Sequence, residues 1–114
     1  MSRREPAASS VTTAAPVFAA LGDETRLALV ARLCTGGPAS ISQLTTGADV
    51  TRQAITKHLQ VLADAGLVRD AKRGRERIWE LEPERLHAAG AWLEQISARW
   101  DEALERLRKL VEEE

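Results

Sequence analysis

Thr51-Arg52-Gln53-Ala54-Ile55-Thr56-Lys57-His58-Leu59-Gln60-Val61-Leu62-Ala63-Asp64-Ala65-Gly66-Leu67-Val68 reads as one helix with two chemically different faces. Ile55, Leu59 and Leu62 recur at helical spacing and form an apolar stripe. Arg52, Gln53, Thr56, Lys57 and Gln60 fall off that stripe and carry side-chain types that bind base edges and phosphates. Thr51 is a good N-cap, and Gly66 supplies a C-terminal stop.

The flanking segments extend this pattern. Downstream, Leu67 to Lys72 and Arg77 to Leu81 read as two short strands, with Ile78 and Trp79 supplying β-propensity. The turn between them, Lys72-Arg73-Gly74-Arg75, is basic, and Gly74 permits a tight reversal. Upstream, Ser40 or Ser42 caps a short helix with Ile41 and Leu44 inward, ending at Gly47, and Ala48-Asp49-Val50 forms a turn. A short helix, a turn and a second helix make a helix-turn-helix. Asp23 caps an earlier helix from Glu24 to about Cys34, with Leu27, Val30 and Leu33 inward, and Pro16 to Leu21 forms a first short helix. The expected fold class is mainly α with a small β-hairpin wing, a winged helix-turn-helix of five helices. Residues 1–13, rich in Ala, Ser and Pro, are expected to be a disordered arm, and residues 14–114 the folded domain.

Pro83 opens the last predicted helix, which runs to about Val111. Leu86, Leu93, Trp100 and Leu107 recur by sevens, with Ala89, Ile96, Ala103 and Leu110 between them. A helix of ~42 Å by rise is too long to bury its stripe within so small a domain. A second copy of the chain is the expected partner. The predicted dimer interface is Leu86, Leu93, Ile96, Trp100 and Leu107, joined by Val17 and Phe18 of the first helix.

The formal net charge is −1, yet the charge is unevenly placed. Residues 1–81 carry 11 Lys/Arg and 8 Asp/Glu, whereas residues 82–114 carry 5 and 9. Residues 52–77 alone hold 7 basic and 3 acidic side chains, so the positive field surrounds the amphipathic helix and the turn. One cysteine, Cys34, excludes an internal disulfide framework and a multi-cysteine metal cage within one chain. No stretch is apolar enough to span a bilayer. Arg3 and Arg4 precede no apolar run of the kind a secretory signal needs, so a cytoplasmic location is expected. No glycine-rich phosphate loop, supported cysteine–histidine pair or buried acidic pair points to an enzyme. The expected partner is double-stranded DNA. Its contact residues are Thr51, Arg52, Gln53, Thr56, Lys57 and His58 on the helix and Arg73 and Arg75 on the wing.

The sequence resembles the ArsR-type family of bacterial winged-helix repressors from residue 16 to about 112. The resemblance rests on Leu21-Gly22-Asp23-Glu24-Thr25-Arg26-Leu27, on Thr56-Lys57-His58-Leu59 before Ala65-Gly66-Leu67-Val68, and on the wing tip Gly74-Arg75. It continues through Ile78-Trp79-Glu80-Leu81 and the Pro83-Glu84 helix start. The resemblance implies a homodimeric DNA-binding repressor and leaves its inducing signal open. The family's best-known metal sensors carry a Cys-x-Cys pair where this chain has Ser40 and Ser42, which are poor soft-metal ligands. On the last helix only His87 stands with Glu84 and Glu94, short of the compact nitrogen and sulfur sets that hold transition metals. The expectation is therefore a member of the non-metal branch with no cofactor and no metal ligands. The alternatives are a metal-responsive repressor, and a winged-helix protein-interaction module with no operator of its own.

Overall fold

The computed structural model describes residues 8–113, with side-chain environments from Val11 onward. The elements in chain order are α1 (Ala8–Leu21), α2 (Glu24–Gly36), β1 (Ala39–Ser40), α3 (Ile41–Thr45), α4 (Arg52–Asp64), β2 (Val68–Arg73), β3 (Glu76–Leu81) and α5 (Pro83–Glu112). Among the described residues the architecture is five helices and a three-stranded antiparallel sheet of order β1-β3-β2. The expected arm over residues 1–13 is corrected at its C-terminal half, because α1 begins at Ala8. The first seven residues, Arg3 and Arg4 among them, lie outside the described residues. Ala14, Val17 and Ala20 recur every three residues and are buried, so small alanines carry the stripe that anchors α1. Pro16 sits inside the helix rather than at its start, at the cost of one backbone hydrogen bond.

The caps fix the helix boundaries. Asp23 Oδ2 accepts from the Arg26 backbone N–H at 3.0 Å, and that bond holds the Asp23 carboxyl below the usual range. The contribution of this cap is therefore present at neutral pH and is lost as acid protonates the carboxylate. Ser40 and Gln43 form a reciprocal capping box on α3. Thr51 Oγ1 accepts from the Ala54 N–H at 3.0 Å, as the sequence predicts for α4.

The core is one cluster whose deepest residues are Val17, Ile55, Leu59, Leu62 and Leu67. On α2 the inward set is Leu29, Val30 and Leu33. Leu27, expected inward, is 53% exposed. The stripe is rotated because Arg26 occupies an inward position, its Nε donating to the Ala20 carbonyl at 2.6 Å.

The exit of α4 is a Schellman motif. Gly66 N–H donates to Ala63 O and Leu67 N–H to Leu62 O, both at 2.9 Å. Gly66 has φ +80°, and a Cβ there would lie 2.7 Å from Arg85 Cδ of α5. Arg85 also donates to the Ala65 carbonyl at 3.3 Å, so this corner ties α4 to α5. Gly66→Ala is expected to cost about 1–2 kcal/mol, the penalty for an L side chain in the left-handed region. Urea unfolding checks this, with the midpoint lowered and the slope unchanged.

β2 and β3 form the hairpin, with Arg73 opposite Glu76 and Gly74-Arg75 as the two-residue loop. Only Gly74 has positive φ there, at +65°, the type II′ pattern that suits the strands' twist. β1 is a third strand that the sequence did not announce, pairing Ala39 with Trp79 and Ser40 with Ile78. It fastens the hairpin to the α2–α3 connection. Trp79, 2% exposed, anchors the hairpin in the core.

α5 divides along its length. Ala89 is buried and Leu86 packs against the core. Leu93, Ile96, Leu104, Leu107 and Leu110 are exposed, and Trp100 retains 64% of its surface. One expected interface residue, Val17, is thereby corrected. Val17 is 1% exposed within its own chain, and Leu86 faces that same core. Adjacent helical residues point about 100° apart, so Val17 and Phe18 do not share one outer face. Phe18 instead meets Trp92 of α5, with ring centroids 5.8 Å apart.

Candidate nucleic-acid interface

α4 buries Ile55, Leu59 and Leu62 and turns Thr51, Arg52, Gln53, Thr56, Lys57 and Gln60 outward. The N-terminal half of this outer face is held by local bonds. Thr56 Oγ1 donates to the Arg52 carbonyl at 2.9 Å, and Arg52 Nη1 donates to Ser42 Oγ of α3 at 3.0 Å. Gln60 is engaged with Asp64 at 3.1 Å. The Gln53 and Lys57 side chains are exposed, have no partner among the described residues and are open to an external ligand.

His58 stands apart from this row. It is half-buried, and its Nδ1 accepts from Arg26 Nη1 at 3.2 Å, with Asp23 Oδ2 3.9 Å away. Arginine has only donors, so this bond requires Nδ1 to be unprotonated. Arg26 thus bridges the end of α1, through Ala20, to the middle of α4. Sequence reading placed His58 with the contact residues. The geometry places it against Arg26 and Asp23, at the junction of α4 with the body of the domain.

The hairpin cations fall into two classes. Arg69 pairs with Glu80 at 2.7 Å and Glu82 at 2.8 Å, and its hydrogen bond to Glu80 raises its pKa above the ordinary arginine value. Arg77 pairs with Asp70 and lies over the Trp79 ring, 5.5 Å from its centroid. Lys72, Arg73 and Arg75 are exposed and make no ion pair among the described residues. The positive field of the hairpin is therefore concentrated toward its tip. Between α3, α4 and the hairpin lies a cleft of about 350 Å³ where Arg52, Arg75 and Arg77 converge with Ser42 and Thr56, beside Glu76. Arg77 is already met by Asp70 and the Thr56 hydroxyl by the Arg52 carbonyl, which leaves the Arg52 and Arg75 guanidiniums to suit an anionic oxygen ligand such as a phosphate.

The residues considered as metal donors are dispersed. Cys34 is exposed on α2, His58 is bound to Arg26, and His87 is exposed on α5. No group of three His, Cys, Asp or Glu able to hold a metal occurs among the described residues. Ser40 is 6% exposed and its hydroxyl serves the α3 cap.

Residues 21–71, from the end of α1 through α4 into β2, match the helix-turn-helix domain family. An HTH-type transcriptional regulator of Mycobacterium tuberculosis is 37% identical over 95 residues, covering 83% of this chain and 85% of that protein. The structure of an ArsR-like transcriptional regulator from Rhodococcus sp. RHA1 superposes with a TM-score of 0.77 at 38% identity, covering 90% of this chain and 95% of that one. The chain belongs to the ArsR family. An arsenical resistance operon repressor of Escherichia coli is 36% identical over 67 residues, 59% of this chain and 57% of that protein. α3 and α4 are thus the helix-turn-helix of a winged helix-turn-helix transcriptional regulator, with the β2–β3 hairpin as its wing.

Proposed function

We propose that this ArsR-family regulator acts as a homodimeric repressor that binds an imperfect palindrome in duplex DNA. In this reading α4 enters the major groove, where Gln53 pairs with adenine and Arg52 or Lys57 with guanine. Lys72, Arg73 and Arg75 hold the backbone. Two subunits joined along α5 then present two recognition helices one helical turn, or a multiple of it, apart. The observation that carries the proposal is the outer face of α4, where base-reading side chains stand exposed above a fully buried apolar underside. The exposed row of Leu93, Ile96, Trp100 and Leu107 supports self-association, because an uncovered apolar stripe of this length marks an interface. Release of DNA is assigned to a signal other than a transition metal. The proposed location is the cytoplasm; no described helix is long and apolar enough to cross a membrane.

The test is selection of bound fragments from the source genome, followed by footprinting of the winning sequence. Two protected half-sites related by a dyad, centred about 10 bp or a multiple apart, are expected. A single half-site, or no enrichment of any fragment, contradicts the proposal. Calorimetry of metal-stripped protein with Zn²⁺, Ni²⁺ and Cu⁺ tests the release mechanism. Sub-micromolar binding abolished by His87→Ala and coupled to DNA release would establish the metal-responsive alternative instead.

A further inference from the structure

Behind the recognition helix lies a second cleft, of about 380 Å³, between α2 and the turn that joins α3 to α4. Its floor is apolar, made by Leu29, Leu44 and Ile55, all buried. Its rim is charged. Glu24 and Arg32 stand on α2, four residues either side of Ala28, and Asp49 faces them from the turn. None of the three side chains makes a hydrogen bond or ion pair among the described residues. An apolar floor ringed by a few convergent polar groups is the usual make-up of a small-molecule site. Ala28 contributes only a methyl group at mid-cleft, which leaves room for a body seated between the charged ends. Two carboxylates against one guanidinium give the rim a net negative charge, so the matching ligand carries an apolar body and a positive end.

We infer that this cleft binds a small amphipathic cation, such as an arylalkyl amine, and that its occupancy strengthens DNA binding. The sign follows from position. Asp49 lies two residues before Thr51, the N-cap of the recognition helix. There its negative charge opposes the approach of phosphate and offsets the favourable N-terminal end of the helix dipole. An ammonium held against Asp49 cancels that charge and ties the turn to α2. By linkage, DNA then raises the affinity for the amine by the same factor. The coupling half of the inference rests on the DNA-binding reading, whereas binding in the cleft does not.

Phenethylamine is the probe, with phenylacetate and benzyl alcohol as charge-reversed and neutral counterparts. In amide-resolved NMR without DNA, phenethylamine is expected to give saturable shifts confined to Glu24, Ala28, Asp49 and Val50. Phenylacetate is expected to give none. Asp49→Asn, at an exposed position, is expected to weaken the amine about tenfold, the loss of one charge-assisted contact. On the selected DNA fragment, saturating phenethylamine is expected to raise affinity by about two- to tenfold at low salt, and less as salt screens the charge. Asp49→Asn is expected to show the tighter DNA binding without amine and to lose the response. Shifts that are scattered or unsaturable, or equal with phenylacetate, overturn the site. Saturable binding with unchanged or weakened DNA affinity overturns the coupling. Failure of the DNA-binding reading itself appears only in the DNA arm, as wild-type protein that binds no fragment.

Discussion

Glutamate at both Leu93 and Ile96 is expected to leave a folded monomer that no longer holds its DNA. Both side chains are already exposed in the single chain, at 49% and 40%, so the change removes little from the monomer's own core. In the proposed dimer the same positions would lie in the α5–α5 contact. Four carboxylates would then enter an apolar interface with no cation arranged to meet them, at a cost of several kcal/mol for each buried charge. A dimer gains affinity by placing two recognition helices on one site, so losing it removes the linked second half-site as well. Sedimentation at micromolar concentration is expected to show a dimer for the wild type and a monomer for the variant, with helix content retained in circular dichroism. A variant that remains dimeric and binds DNA normally would place the interface elsewhere. The contrasting change is Val17→Glu, which is expected to unfold the chain because Val17 belongs to the core.

Gln53→Ala is expected to relax base preference at one position per half-site and to cost roughly 1–3 kcal/mol there. The proposed physical basis is bidentate pairing of a carboxamide with adenine; the other exposed carboxamide on α4, Gln60, is engaged with Asp64. Arg75→Ala acts differently. The wing-tip guanidinium makes no ion pair among the described residues and meets backbone in the proposed complex, so its loss is expected to weaken all sequences alike and to flatten the salt dependence. A selection repeated with each variant separates the two. A changed motif for Arg75→Ala with an unchanged motif for Gln53→Ala would reverse this division of roles.

The parts of the fold legible in the sequence were those whose signals were local and redundant. α4 carries a cap, an apolar period and a glycine stop, and each is realised at Thr51, at Ile55/Leu59/Leu62 and at Gly66. The wing was legible because Gly74 can stand only in a tight turn between β-prone segments. α1 was misread over Ala8–Thr13 because Ser9, Ser10, Thr12 and Thr13 give that segment no apolar period, and because Pro16 suggested a helix start. α2 was misphased because Arg26 points inward, held by a carbonyl and an imidazole more than 30 residues apart in the chain. β1 depends wholly on a partner about 40 residues away. The same limit applies to the candidate interface. Residue type identified Arg52, Gln53, Thr56 and Lys57, but only the structure separates Lys72, Arg73 and Arg75 from Arg69 and Arg77, whose charges are met by carboxylates. Only three dimensions reveal that His58 belongs with Arg26 and Asp23.

The central claim is that α4 and the wing together read duplex DNA, and salt dependence tests it most directly. Arg52, Lys57, Lys72, Arg73 and Arg75 give five cations per subunit on this face that are not offset by a carboxylate. If four of them per subunit neutralise phosphates, the log–log slope of affinity against salt is about −7 for the dimer. The selected fragment is expected to bind at least about 10³-fold more tightly than a scrambled one at physiological salt. A slope near zero, with no discrimination between the two fragments, would contradict the account and leave a winged-helix module devoted to protein contacts.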